Sequence, residues 1–286
     1  MKQALTVVLS LLLAAGSMQS QAQEGRLKKI ASTGTLTIAY RADAVPYAFV
    51  DDKKQPDGFS IDICKRVAAQ IERQIKPKEP LQVKWLQVTS LTRFDAVAKG
   101  NADMECGSST VTLERLKQVD FSSYIFVEST GLLTKIASNI RNLTDLRGKR
   151  ISVIGGTTNE SAMHAQLNEN KVNATVVPFK TREEAFAALE DGKVDAFASD
   201  KLLLIGAAQK SRDPKALAML PYDFSIEPYG IVLPRNDADF RLAVNAALAR
   251  IYRSGEIKQI FAQWFGGLGE PTDVVKVMYL LGSIPE

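Results

Sequence analysis

The segment Phe94-Asp-Ala-Val-Ala-Lys-Gly100-Asn-Ala-Asp103 returns 92 residues later as Phe186-Ala-Ala-Leu-Glu-Asp-Gly192-Lys-Val-Asp195, matching at Phe, Ala, Val or Leu, Gly and Asp. In each copy the Phe and the Val or Leu three positions on share one helix face, the Gly ends the helix in a left-handed conformation, and the chain turns into a buried strand. Helix, glycine and strand are also a common connection that two unrelated segments can share. Read as a repeat, the pair implies two related lobes. The flanking pattern agrees: strands are expected at 36–40, 81–86 and 102–106 with helices at 61–75 and 93–99, then strands at 151–154, 174–177 and 194–198 with helices at 160–168 and 183–190. Such alternation predicts an α/β fold with mixed, mostly parallel sheets flanked by helices. The echo occurs once, so no solenoid period is implied.

Beyond Asp200, an apolar strand at 229–234 leads into an amphipathic stretch at 237–253 that is expected to return to the first lobe. Two strands then cross between lobes, near 131–134 and 230–233. This gives a first lobe of 23–131 and 233–286 and a second of 132–232, with a ligand cleft between them and hinge closure about the two crossovers.

The 286 residues suit about two domains of roughly 150 residues. With 45% hydrophobic and 24% charged residues, the composition is that of a globular protein. Lys and Arg exceed Asp and Glu by only 36 to 32, spread along the chain, which argues against a nucleic-acid partner. One histidine, His164, and two cysteines, Cys64 and Cys106, exclude a multi-histidine or CxxC-type metal site. Any triad chemistry would have to pass through His164, which falls on the expected exposed face of a helix.

Residues 1–22 carry Lys2, an apolar run at 4–15 and the small residues Ser20 and Ala22, the pattern of a secretory signal peptide. No later run approaches the ~20 apolar residues of a membrane span. The mature chain is therefore expected to be a freely diffusing periplasmic protein, and its first cysteine, Cys64, lies too far from the cleavage point for a lipid anchor. In an oxidising compartment Cys64, on a helix, and Cys106, at a strand end, either form a bridge or remain two buried thiols.

Residues suited to bind an anion cluster at strand ends. Gly155-Gly-Thr-Thr158-Asn-Glu160-Ser161 follows a strand and opens a helix, where N–H groups and hydroxyls meet carboxylates. A plain helix cap at Thr157 or Thr158 accounts for that loop equally well. Arg41 follows the first strand, Arg93 lies one turn beyond Ser90, and Arg115 follows Gly107-Ser108-Ser109-Thr110. All three stand on the rim where α/β sheets bind ligands, and a guanidinium suits two-pronged recognition of a carboxylate.

These segments, with Gly34-Thr-Leu-Thr-Ile-Ala-Tyr40, Pro46-Tyr-Ala-Phe49, Asp57-Gly-Phe-Ser-Ile-Asp-Ile63, Glu114-Arg115, Gln118-Val-Asp-Phe-Ser122 and Leu146-Arg-Gly-Lys149, resemble the polar amino acid substrate-binding proteins of ABC importers, solute-binding protein family 3. Val88-Thr-Ser-Leu-Thr-Arg93, Met104-Glu-Cys-Gly-Ser-Ser-Thr110 and Ser122-Ser-Tyr-Ile-Phe126 are most similar to the glutamate/aspartate-binding subgroup. The resemblance implies a two-lobed type II periplasmic binding protein fold. It places the ligand α-carboxylate on Arg115 with Ser108, Thr110 and Thr158, the α-ammonium on Asp200, and the side-chain carboxylate on Arg41, Ser90 and Arg93. Ser161 joins this set through the glycine-rich turn. Where the subgroup has a histidine on the second lobe, this chain has Arg182. Arg41, Arg93 and Arg115 against Asp200 give a site charge of +2, or +3 with Arg182, which favours an acidic ligand.

The expected function is capture of an acidic amino acid by a monomer that delivers it to a membrane permease, with no cofactor, no metal and no catalysis. A prephenate or arogenate dehydratase-like enzyme on the same fold is the alternative, but no additional carboxylate beside the proposed site is evident to serve as acid or base. A sensor would use the same cleft as a transporter.

Overall fold

The computed structural model describes residues 25–285; the expected signal segment, 1–22, lies outside the described residues. The chain opens with α1 (Arg26–Thr33), β1 (Thr35–Arg41), the short β2 (Asp43–Ala44), β3 (Ala48–Val50) and β4 (Pro56–Asp57), then α2 (Phe59–Ile75) and β5 (Gln82–Val88). It continues through α3 (Arg93–Ala98), β6 (Met104–Glu105) and β7 (Asp120–Glu128). A second body holds β8 (Thr130–Lys135), β9 (Arg150–Ile154), α4 (Thr158–Glu169), β10 (Thr175–Phe179), α5 (Arg182–Glu190), β11 (Ala196–Asp200), α6 (Lys201–Gln209) and β12 (Leu217–Met219). The chain returns to the first body as β13 (Glu227–Leu233), α7 (Ala238–Arg253), α8 (Glu256–Phe265) and α9 (Asp273–Gly282).

The two five-stranded sheets share one plan. Their orders are β5-β1-β6-β13-β7 and β10-β9-β11-β8-β12, and in each the first three strands are parallel and the last two run antiparallel to them. The repeated sequence accounts for the likeness. Gly100 and Gly192 end their helices at φ of 80° and 71°, a left-handed backbone that glycine adopts without steric cost. Eight Å of helix later in neither copy matters as much as the aspartate: Asp103 Oδ2 accepts from the Thr37 N–H at 2.8 Å, and Asp195 Oδ2 accepts from the Arg150 N–H at the same distance. Each aspartate thus ties the entry of the third strand to that of the first.

Apolar pattern sets the layers. Leu36, Ile38, Ala39 and Tyr40 are buried in succession, as expected for a parallel strand covered on both faces. Along α2, Phe59, Ile63, Cys64, Val67 and Ile71 recur at helical spacing, with no Gly or Pro to interrupt them, and face the core of the first lobe. Tyr47, Phe59, Phe126, Tyr229 and Phe265 pack there edge-on or tilted, with Tyr47 and Tyr229 centroids 5.1 Å apart. In the second lobe, Leu132, Ile151, Val153, Met163 and Phe224 cover one face of the sheet, and Leu133, Ile154, Phe186, Leu189 and Phe197 cover the other.

Three expectations need correction. The first crossing falls at Ser129, between β7 and β8, slightly before 131–134. Residues 227–232, expected in the second lobe, pair along β7 from Glu227↔Glu128 to Leu233↔Asp120 and so belong to the first sheet. The apolar strand follows its neighbour for its whole length, and the irregular stretch 220–226 makes the second crossing. The strand expected at 102–106 is regular only at Met104–Glu105, although Asp103 N–H and Cys106 N–H still bond to the Thr37 and Ala39 carbonyls.

Of the two states left open for the cysteines, the bridge is formed. Cys64 on α2 is joined to Cys106 at the end of β6, with Cα atoms 6.4 Å apart and 42 positions between them in sequence. The bridge anchors the chain immediately before Gly107 and Ser108. Closing a loop of this size contributes about 4 kcal/mol in the chain-entropy account. We therefore expect the Cys64→Ala/Cys106→Ala variant to melt roughly 10 °C lower by calorimetry; an unchanged melting temperature would show that the bridge contributes little to stability.

Candidate functional site

The carboxyl ends of β1, β5 and β6 face the amino ends of α4 and α5 and the carboxyl end of β11. Arg41 is the last residue of β1, Arg93 the first of α3, Thr158 the first of α4, Arg182 the first of α5 and Asp200 the last of β11. Thr157 performs the capping that the sequence left between two threonines: its hydroxyl oxygen accepts from the Glu160 N–H. Thr158 is thereby available to the cleft. Gly156, at φ of 72°, lets the turn lie against the other lobe, where a Cβ would meet Leu91 at 2.5 Å. The lobes touch directly: Ser90 Oγ donates to the Gly155 carbonyl at 3.0 Å, Arg182 Nη1 to the Asp43 carbonyl at 2.7 Å, and the Thr110 and Thr158 hydroxyl oxygens lie 3.2 Å apart.

The four arginines divide into two pairs. Arg41 grips Asp43 with two prongs, Nε to Oδ1 at 2.9 Å and Nη2 to Oδ2 at 2.7 Å, and Arg182 approaches the same carboxylate at 3.3 Å. Burial pushes the Asp43 carboxyl up, but Arg182 and Arg41 outweigh it and hold the group below the usual range. Arg93 and Arg115 have no carboxylate within ion-pair distance among the described residues. Their guanidinium carbons lie 4.4 and 4.7 Å from the centroid of the Phe94 ring, and each donates to a backbone carbonyl, Arg93 to Ser90 at 2.6 Å and Arg115 to Thr110 at 2.7 Å. Arg93 is 2% exposed, and its Nε has no acceptor. Burial, then repulsion from Arg41 and Arg115, pulls its pKa down to about 9; burial also lowers that of Arg115.

Carboxylates gather on the other side. Asp200 is buried, with Oδ1 accepting from Asn159 Nδ2 at 2.8 Å, and burial followed by repulsion from Glu227 pushes its carboxyl up. The Tyr229 hydroxyl lies close to Asp200, outside good hydrogen-bond geometry. Glu128, at the end of β7, is pushed up to about 7 by burial and then by Asp200. Glu105, wholly buried beneath Gly107, is pushed up by burial against the opposing pull of Arg93. The expected surplus of positive charge is not present by count. Arg41, Arg93, Arg115 and Arg182 are balanced by Asp43, Glu105, Asp200 and Glu227. What distinguishes the site is position: two cations without an ion-pair partner stand apart from a buried acidic group.

Of the residues singled out in sequence, Arg41, Ser90, Arg93, Ser108, Thr110, Arg115, Thr158, Arg182 and Asp200 converge on this cleft. Ser161 does not. It lies two positions from the buried Asn159 and is exposed on the outer side of α4. Sequence reasoning missed Asp43, Glu105, Asn159 and Glu227. Asn159 and Glu105 lay inside quoted motifs but were given no role. Asp43 and Glu227 had a faint signal, a carboxylate directly beside a buried strand with no capping position to fill.

The cleft can hold a zwitterion, with anionic groups on the arginine side and an ammonium on the acidic side. Known proteins have the same frame. The family model for bacterial extracellular solute-binding proteins, family 3, matches residues 36–267. The chain is 36% identical over 242 residues to the L-glutamate/L-aspartate-binding protein of Pseudomonas aeruginosa, covering 84% of this chain and 80% of that protein. It is 33% identical over 264 residues to the glutamate/aspartate import solute-binding protein of Escherichia coli, covering 91% and 87%. A crystal structure of a mutant ArgBP from T. maritima superimposes with a TM-score of 0.73 at 26% identity, covering 84% of this chain and 99% of that one. The fold is that of the type II periplasmic binding proteins, two α/β lobes joined by two crossings. With the family pattern running from β1 through α8 and the cleft residues set at its strand ends, this chain belongs to the bacterial extracellular solute-binding proteins, family 3.

Proposed function

We propose that this protein captures L-glutamate or L-aspartate in the periplasm, closes its lobes on the ligand and delivers it to the membrane permease of an ABC importer. The observation that carries this reading is the pair of arginines on Phe94, Arg93 and Arg115, held in a protein interior without an ion-pair partner. An acidic amino acid has two carboxylates to offer them and one ammonium to offer Asp200. In this assignment Arg115 takes the α-carboxylate and Arg93, through its unpartnered Nε, the side-chain carboxylate. Arg41 adds only the Nη1 that Asp43 leaves unengaged. The relatives named for glutamate and aspartate support the same ligand class.

A neutral amide would leave Arg93 without its anion. Removing one member of a buried charged pair costs roughly 3 to 5 kcal/mol, more than two powers of ten in affinity. Calorimetric titration with an amino acid panel, after endogenous ligand is removed by unfolding and refolding, should therefore give far tighter binding of L-glutamate and L-aspartate than of L-glutamine, L-asparagine or L-lysine. Equal affinity for glutamate and glutamine would end the acidic reading.

The two arginines have separable tasks. Arg115→Ala should abolish binding of every amino acid, whereas Arg93→Ala should lose the acidic ligands and retain weak binding of glutamine. Identical behaviour of the two variants across the panel would refute this division.

A further inference from the structure

Glu227 is the first residue of β13, directly after the second crossing, and is 1% exposed. Its carboxylate accepts hydroxyl hydrogen bonds from four separate segments. Oε2 receives Thr110 Oγ1 at 2.6 Å, from the loop after β6, and Thr158 Oγ1, from the start of α4 on the other lobe. Oε1 receives Ser225 Oγ and, at 3.3 Å, Thr130 Oγ1. Thr130 Oγ1 in turn accepts from Asn159 Nδ2 at 2.8 Å, and the same amide reaches Asp200. One connected network thus runs from Glu227 to the acidic residue assigned to the ligand ammonium.

Proton counting gives this network a direction. A carboxylate only accepts, and a threonine hydroxyl has a single proton. With both protons committed to Glu227 Oε2, the oxygens of Thr110 and Thr158 offer only lone pairs to anything else in the cleft. They suit an ammonium and oppose a carboxylate, although the family resemblance put them on the α-carboxylate. We propose that Glu227 is a specificity-determining positioning residue: it takes the protons of Thr110 and Thr158, so that their oxygens join Asp200 as acceptors for the ligand's amino group. Because Thr158 sits on the second lobe and Glu227 on the first sheet, this acceptor set is complete only when the lobes meet. The proposal deepens the acidic amino acid reading by assigning recognition of the amino group.

The test compares L-glutamate with glutarate, which keeps both carboxylates and lacks the amine. Both are titrated against the wild-type protein, Glu227→Gln and Thr158→Val, with glutarate measured by displacement where it binds weakly. In Glu227→Gln the amide N–H must point at one threonine, whose hydroxyl then turns; in Thr158→Val one acceptor is gone. Each variant should lower the glutamate-to-glutarate affinity ratio at least tenfold while glutarate affinity stays within twofold of wild type. An unchanged ratio, or equal weakening of both ligands, would overturn the proposal, the second outcome showing a purely structural role. Should Glu227→Gln fail to fold, Thr158→Val decides alone. Should wild type bind another amino acid in place of glutamate, the acidic reading would fall by itself, and the ratio would be taken against that amino acid's amine-free analogue.

Discussion

Keeping the Arg93 and Arg115 guanidiniums buried against the Phe94 ring, with no carboxylate in ion-pair reach, is the constraint to which the rest of the structure is arranged. Two like charges at such burial oppose folding, and the depressed Arg93 pKa expresses that opposition. The fold tolerates them because backbone carbonyls of Ser90 and Thr110 and the π face of Phe94 each take part of the charge. Glu105, beneath Gly107, supplies attraction at longer range. Those partners stabilise the cations without occupying the whole of either guanidinium, which is the condition a carboxylate ligand needs.

Placement of the opposite charge follows from the two-lobed architecture. Asp200 ends the third strand of the second sheet, as Glu105 ends the third strand of the first, so equivalent positions of the repeat deliver both carboxylates to the same interface. Asp43 plays a different part. By engaging Arg41 and Arg182 it neutralises the cations at one end of the cleft, and one of those bonds crosses between the lobes. The acidic selectivity proposed for the site then depends on where charges stand, since their number balances.

Much of this was legible in the sequence. The Phe…Gly…Asp echo disclosed the duplicated lobe because each of its residues has a local task, helix face, left-handed turn or strand tie, that leaves a periodic mark. Arg41, Arg93, Arg115, Thr158 and Asp200 were findable because each directly ends a strand or begins a helix. The lobe boundary at 227 was not, since an apolar strand reads the same whether it bridges two sheets or pairs within one. Ser161 was misplaced because the handedness of the first turn of α4, which sends Asn159 inward, is not written in a glycine-rich loop. Glu227 and Asp43 escaped for a related reason: a carboxylate is buried only by virtue of partners that are distant in the chain, and Glu227 meets Thr110 and Thr158 across 117 and 69 positions.

The account's central claim is that charge in the cleft is separated to match an acidic amino acid. A crystal structure of the protein with L-glutamate tests it most directly. The α-carboxylate should lie on Arg115, the side-chain carboxylate on Arg93, and the ammonium on Asp200 with the Thr110 and Thr158 oxygens, between lobes in contact as described above. A ligand bound with its side-chain carboxylate on Arg182 and Asp43 displaced, or with Arg93 left unpaired, would contradict it.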